Sequence, residues 1–218
     1  MVWVAVIALV IGVQIMVVLF VVHRNKSSSP AAGDGPGVSV TTSGPGGGGS
    51  GPIADDAIPG VGGDVFLAGG LARVPVPEGW RLLARGDRRD NPGGYSESAV
   101  LVNPQSAIAI GVYLRADAIN PADAVAAADA EVRSWVRDGQ EAQFQAAQAL
   151  PTGGSVAGAA SARYRFVRGS QIDGEVLVAV RGDGATLVVF VDAPAGSLDA
   201  ASSVWGPVRE ALVSDFAA

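Results

Sequence analysis

Enzyme chemistry needs side chains that titrate near neutrality, hold metals or attack an electrophile, and this chain is short of all three. Its only histidine is His23, and it contains no cysteine. Everything after residue 23 therefore lacks an imidazole for a triad, a proton relay or a metal site. It also lacks the thiolates of a zinc site, and no Asp-x-Asp-x-Asp-Gly run is present for calcium. Carboxylates remain. Glu78 with Asp87 or Asp90 is the pair to weigh for a glycosidase-like site, which needs two carboxyl groups held across one bond. Nothing in their spacing sets them so. The expectation is a protein that is not an enzyme, with no catalytic residue, no metal and no cofactor; a carboxylate-based hydrolase is the remote alternative.

Binding is the chemistry that the remaining polar residues suit. The stretch "RGDRRDNPGGYS" reads as a loop and gathers Arg85, Arg88, Arg89, Asn91 and Tyr95, polar and aromatic groups on one segment, and it is the candidate binding surface. Arg165 with Arg168 or Arg181 is a second possibility, for an anionic group across strands, although paired arginines on a surface are more often simply solvated. Trp135 would be a ligand platform only if it left the core spacing of its helix. Arg-Gly-Asp occurs twice, at residues 85–87 and 181–183, where a turn asks for Gly and Asp, so adhesion does not follow from it. The 15 basic and 21 acidic residues give a net charge of -6, which opposes a phosphate backbone and argues against nucleic acid. Of those basic residues only Lys26 is lysine, a bias that suggests a GC-rich bacterial coding sequence.

The elements that must position these groups begin at "LARVPVPEGWRLLA", read as a strand over residues 71–76, a turn at Pro77–Gly79 and a strand over residues 80–84, with Pro75 marking a sheet edge. "SAVLVN" and "AIAIGVYL" follow as two strands joined at Asn103-Pro104-Gln105. In the second, Ile108, Ile110, Val112 and Leu114 alternate with small or amphipathic residues, the pattern of one buried face. "INPADAVAAADAEVRSWVRDG" carries Asn120 as N-cap, Pro121 at the first helical position and Gly139 as the stop, with Val125, Ala128, Val132 and Trp135 at helical spacing. Four strands come next: "AQFQAAQAL", "SARYRFVRG", "GEVLVAVRG" and "ATLVVFVDA". Asp173-Gly174 and Asp183-Gly184 read as the hairpin turns of an antiparallel meander. In "SARYRFVRG" the alternation buries Tyr164 and Phe166 and turns Arg163 and Arg165 outward. "GSLDAASSVWGPVREALVSDF" closes the chain as a helix with Ser197 as cap and Val204, Val208, Leu212 and Phe216 in one apolar row, kinked or restarted at Pro207.

Ahead of these lies a run that opens at Val2 and closes at Val22 without a charged side chain. At 1.5 Å per residue it spans about 31 Å as a helix, the thickness of a hydrocarbon core. Residues 1–23 are read as a transmembrane helix, so the membrane is one expected partner. Residues 24–63, rich in Gly, Ser and Pro, are read as a disordered, flexible linker. The Gly run "GPGGGGSG" has neither a strand before it nor a helix after it, so it is no phosphate loop. Residues 64–218 form the domain. Arg24 and Lys26 place it in the cytoplasm by the positive-inside rule, whereas a long tether suits a module held clear of the membrane outside.

The order of strand pair, strand pair, helix, meander and helix resembles the PsbP-like fold, which includes LpqN-type exported lipoproteins of high-GC bacteria. The likeness is carried by "VPVPEGW", with Pro77, Gly79 and Trp80, and by the ending "LVVFVDAPAGSLDAASSVWGPVREALVSDF". It covers residues 71–216, and the chain departs from the lipoproteins in having an apolar helix in place of a lipidated cysteine. The resemblance implies an α+β domain, an antiparallel meander covered by two main helices, that binds or scaffolds and has no catalytic residues to transfer. With the tether, it favours an outward-facing domain whose partner is an envelope protein or polymer, the alternative being a cytoplasm-facing adaptor for a cytosolic protein.

Overall fold

The computed structural model describes residues 63–87, 94–137 and 139–218. The apolar run and nearly all of the linker lie outside the described residues, and among the described ones no helix is long and apolar enough to cross a membrane. The elements are β1 (Gly63–Leu67), β2 (Ala72–Val76), β3 (Arg81–Asp87), β4 (Tyr95–Asn103), β5 (Ile108–Arg115), α1 (Ala124–Val136), β6 (Gln140–Phe144), β7 (Gln148–Ala149), β8 (Val156–Arg168), β9 (Ser170–Arg181), β10 (Thr186–Pro194) and α2 (Ser202–Phe216). Eight strands make one antiparallel sheet in the order β3-β4-β5-β10-β9-β8-β6, with β7 also on β8. β1 and β2 form a separate two-stranded sheet.

Strand alternation decides what covers each face. Ile108, Ile110, Val112 and Leu114 of β5 join Leu177, Val189 and Val191 on one side, where they pack with Val74, Trp80, Trp205, Leu212 and Phe216. The β1–β2 ribbon and α2 close that side. Tyr113, Tyr164, Phe166, Val178 and Phe190 face the other way and meet Ala128, Val132 and Val136 of α1. Burying each of the larger of these side chains contributes roughly 1.5–3 kcal/mol, so both helices are held mainly by the sheet.

The capping expected at α1 is present: the Asn120 side chain accepts from the Ala122 N–H at 3.0 Å, and a short 3-10 turn at Pro121–Asp123 leads into the helix. Five other expectations are corrected. Among the described residues, regular structure is already present in β1, before Leu71. The strands on either side of the Pro77–Gly79 turn do not pair; β2 pairs β1 and β3 pairs β4, so that turn carries the chain from one sheet to the other. The helix α2 runs unbroken through Pro207, which lies in its first two turns where Trp205 and Val208 are both anchored in the core. Ser197 does not cap it: its hydroxyl donates to the Pro194 carbonyl at 2.5 Å, and the helix starts after Ala201 without a side-chain cap.

The Asp173-Gly174 turn is the fifth. The reversal occurs at Gly169, whose φ of +72° only glycine adopts without strain, and Asp173 and Gly174 lie inside β9. Glycine is required at 174 for another reason. A Cβ there would meet the Tyr164 ring at 2.3 Å, because that ring lies flat over its cross-strand partner.

Candidate functional site

Moving the reversal to Gly169 sets the register of β8 against β9, and the register brings opposite charges together. Arg163 faces Glu175 and Arg165 faces Asp173 across the two strands, symmetrically about residue 169. The side chains point to the α2 side of the sheet but beyond α2 itself, near the sheet edge made by β6. There Arg163, Arg165 and Asp173 line an open groove of about 430 Å³ with Gln143, Gln145, Gly196, Leu198 and Asp199.

The charges in this groove are balanced and held. Arg165 grips Asp173 with both prongs of its guanidinium, Nε to Oδ1 at 2.5 Å and Nη2 to Oδ2 at 2.9 Å, and the Gly196 N–H adds a third donor at 2.7 Å. That guanidinium is the largest cause holding the Asp173 carboxyl below its ordinary value of 3.8. Arg163 donates through both Nη atoms to Asp199, at 3.1 and 2.7 Å, and lies 3.7 Å from the buried Glu175. Glu175 also accepts from Arg209 of α2, whose guanidinium sits 4.9 Å above the Trp205 ring. Both groove arginines remain nearly half exposed, at 45% and 47% of the side chain. Planar forks whose outer N–H groups reach water, beside two glutamine amides, can hydrogen-bond a polar partner without demanding that it be charged. A wider concavity of about 540 Å³ beside the end of α2 is lined by Gly153, Gly154, Ala217 and Ala218, and its Arg209 is engaged by Glu175.

The residues expected to form the binding loop fare differently. Arg88, Arg89 and Asn91 lie outside the described residues. Arg85 is exposed on β3, where its Nη2 donates to the Phe66 carbonyl at 2.9 Å and approaches Glu97 at 3.6 Å, joining the two sheets. Tyr95 is not a surface ring: it is 7% exposed, its hydroxyl donates to Glu131 of α1, and its ring packs 4.9 Å from that of Tyr113. Burial of Tyr95 follows from β4 starting at Tyr95, three residues before the strand read from Ser98.

Arg165, Arg168 and Arg181 do not converge. Arg165 is spent on Asp173, Arg168 lies 5.1 Å over Phe166, and Arg181 lies 5.8 Å over Phe216 and 3.4 Å from Asp183. Trp135 is partly buried against the core, stacked 4.3 Å from Phe190. The first Arg-Gly-Asp is part of β3 and not a turn; the second is the β9–β10 hairpin, where Asp183 accepts from the Ala185 N–H at 3.1 Å. Glu78 precedes β3 and Asp87 ends it, so about seven residues of strand, on the order of 20 Å, separate them. Paired glycosidase carboxyls are no more than about 10 Å apart.

Fold and groove define a class: an antiparallel α+β domain with helices on opposite faces and a charge-balanced edge groove. No protein-family model matches the chain, and no curated protein matches it. Among solved structures it is similar to the cyanobacterial PsbP of Synechocystis sp. PCC 6803, at 13% identity over 73% of this chain and 96% of that one, with a TM-score of 0.50. LpqN of Mycobacterium tuberculosis, described as involved in cell envelope biogenesis, is 18% identical over 75% of this chain and 86% of that one, with a TM-score of 0.41. A point mutant of Mog1 is 16% identical over 71% and 90%, with a TM-score of 0.42. The first likeness shows a PsbP-like fold and nothing of ligand or partner. The other two superpose less well and add nothing to it.

Proposed function

We propose that the chain is a non-catalytic binding module, anchored in the membrane by residues 1–23, carried outside the cell on its linker, and engaging an envelope protein or polymer in the groove between β6, β8 and β9. The observation that carries the binding site is the arrangement of Arg163 and Arg165: each is fixed by carboxylates on one side and open to solvent on the other. Such forks are preorganised, so a partner that hydrogen-bonds their free edges does not bear the cost of ordering them. The groove's neutrality of charge favours a polar, weakly charged segment over a phosphate or a polyanion.

A photoreactive phenylalanine analogue at Gln145, in intact cells, tests the site, with Arg81 at the far end of the sheet as the control position. The proposal expects one discrete adduct from position 145, absent from position 81 and lost when Arg163→Ala and Arg165→Ala are added. Equal adducts from both positions contradict it. A second reading, a cytoplasm-facing adaptor with the same groove, rests on Arg24 and Lys26.

A further inference from the structure

The C-terminal turn of α1 ends on a carboxylate that the groove does not use. Asp192 of β10 is half-buried on the α1 side of the sheet, and one of its oxygens, Oδ1, accepts from two other elements: the Tyr164 hydroxyl of β8 at 2.7 Å and the Trp135 indole N–H of α1 at 3.4 Å. Trp135 is stacked on Phe190, two residues before Asp192 on the same strand, and its own carbonyl accepts from Arg168 at 3.4 Å. Beyond Trp135 the chain passes Gly139 and enters β6, the outer wall of the groove. One carboxylate thus joins helix, central strand and outer strand where the helix hands over to the sheet edge.

We infer that Asp192 is a proton-sensitive pin, which holds the last turn of α1, and the edge strand that follows, more tightly when it is protonated than when it is ionised. The groups that act on it are few: Tyr164 and Arg168 from β8 and Trp135 from α1, with the Tyr113 phenol of β5 acting on Tyr164 and Glu131, one turn back on α1, engaged by Tyr95 and Arg115. Its direct neighbour on β9 is Gly174, which has no side chain. Burial pushes the Asp192 carboxyl up from 3.8 to about 6, against the opposing pull of Tyr164, Trp135 and Arg168. Because the folded value is raised above the unfolded one, the extra hold is complete below about pH 4 and is lost as pH rises through about 6. The pin stands whether or not the groove binds its proposed partner.

Hydrogen exchange of the full chain in detergent micelles, corrected for the intrinsic rate at each pH, reads this directly. The segment spanning residues 134–144 should open between about ten and a hundred times less often at pH 4.5 than at pH 7.5, one pKa unit being a factor of ten. Peptides of β4 and β5 serve as the reference, and Asp192→Asn should abolish the difference. Opening that does not change with pH in the wild type, or changes equally in Asp192→Asn, overturns the inference. Should that variant fail to fold, the carboxyl carbon of Asp192 in the wild type is titrated by NMR: a midpoint above about 5 supports the pin, and a lower one overturns it.

Discussion

At the scale of single residues, two carboxylates in the outer half of the sheet pull stability in opposite directions. Asp173, held low by Arg165, contributes stability present above its unfolded value of 3.8 and lost as pH falls below it. Asp192 does the reverse, costing stability as pH rises from about 4 to 6. Replacing Asp192 by Asn keeps an acceptor for Tyr164 and Trp135 and removes the charge. That variant should be more stable than the wild type at pH 7, by roughly 1–3 kcal/mol given half-burial, and no more stable at pH 4. Denaturant unfolding at the two pH values checks it; an equal effect at both would assign the change to packing. Residue-level reading of the sequence succeeded where alternation alone decides: Tyr164 and Phe166 are buried, and Arg163 and Arg165 face out. It missed Asp173 and Glu175 as their partners because pairing depends on where the chain reverses. Asp-Gly is the stronger turn signal in isolation, and only the packing of Tyr164 over residue 174 explains a glycine inside a strand.

Among the elements, the same cross-strand contact yields a sharp comparison. Gly174→Ala places a methyl group 2.3 Å from the Tyr164 ring, so β8 and β9 must part or the ring must leave its site on Asp192. A loss of about 1–3 kcal/mol is expected, typical of overpacking. Gly182→Ala, in the β9–β10 hairpin with nothing within 4 Å, should change stability by less than about 0.5 kcal/mol. Thermal melts of the two variants side by side provide the check, and equal losses would place the Tyr164 ring elsewhere. Trp80 is the element-level link between the two sheets: it follows the turn out of β2, is 3% exposed, and packs in the core beneath α2. Trp80→Ala should cost about 3–5 kcal/mol in urea unfolding; a cost under 1 kcal/mol would detach the ribbon from the core. Both main helices could be read from periodicity, and α1 also from its Asn120 cap, whereas "AQFQAAQAL", read as one strand, is divided between β6 and β7. The ribbon strand β1 could not be read, because Gly63–Leu67 is short, follows a Gly-rich stretch and is mostly exposed, so it has no alternating apolar signal of its own.

For the whole molecule, the proposed binding role asks a domain without histidine or cysteine to offer a surface by other means, and the sheet does so with arginine forks fixed near its edge. Where that surface works depends on the segment before it. If the proposed anchor and linker hold, the 40 residues from 24 to 63 would span about 35 Å as a Gly-rich coil, far enough to carry the groove beyond the lipid headgroups. Were residues 1–23 to span a membrane as proposed, Arg24 and Lys26 would argue for one side and a long linker for the other. The absence of native cysteine makes the question directly measurable. With Ser43→Cys in the linker, intact cells are treated with a membrane-impermeant maleimide. An outward-facing binding module requires labelling before lysis, at a yield matching that of lysed cells. Labelling that occurs only after lysis would contradict it and place the groove, and its partner, in the cytoplasm.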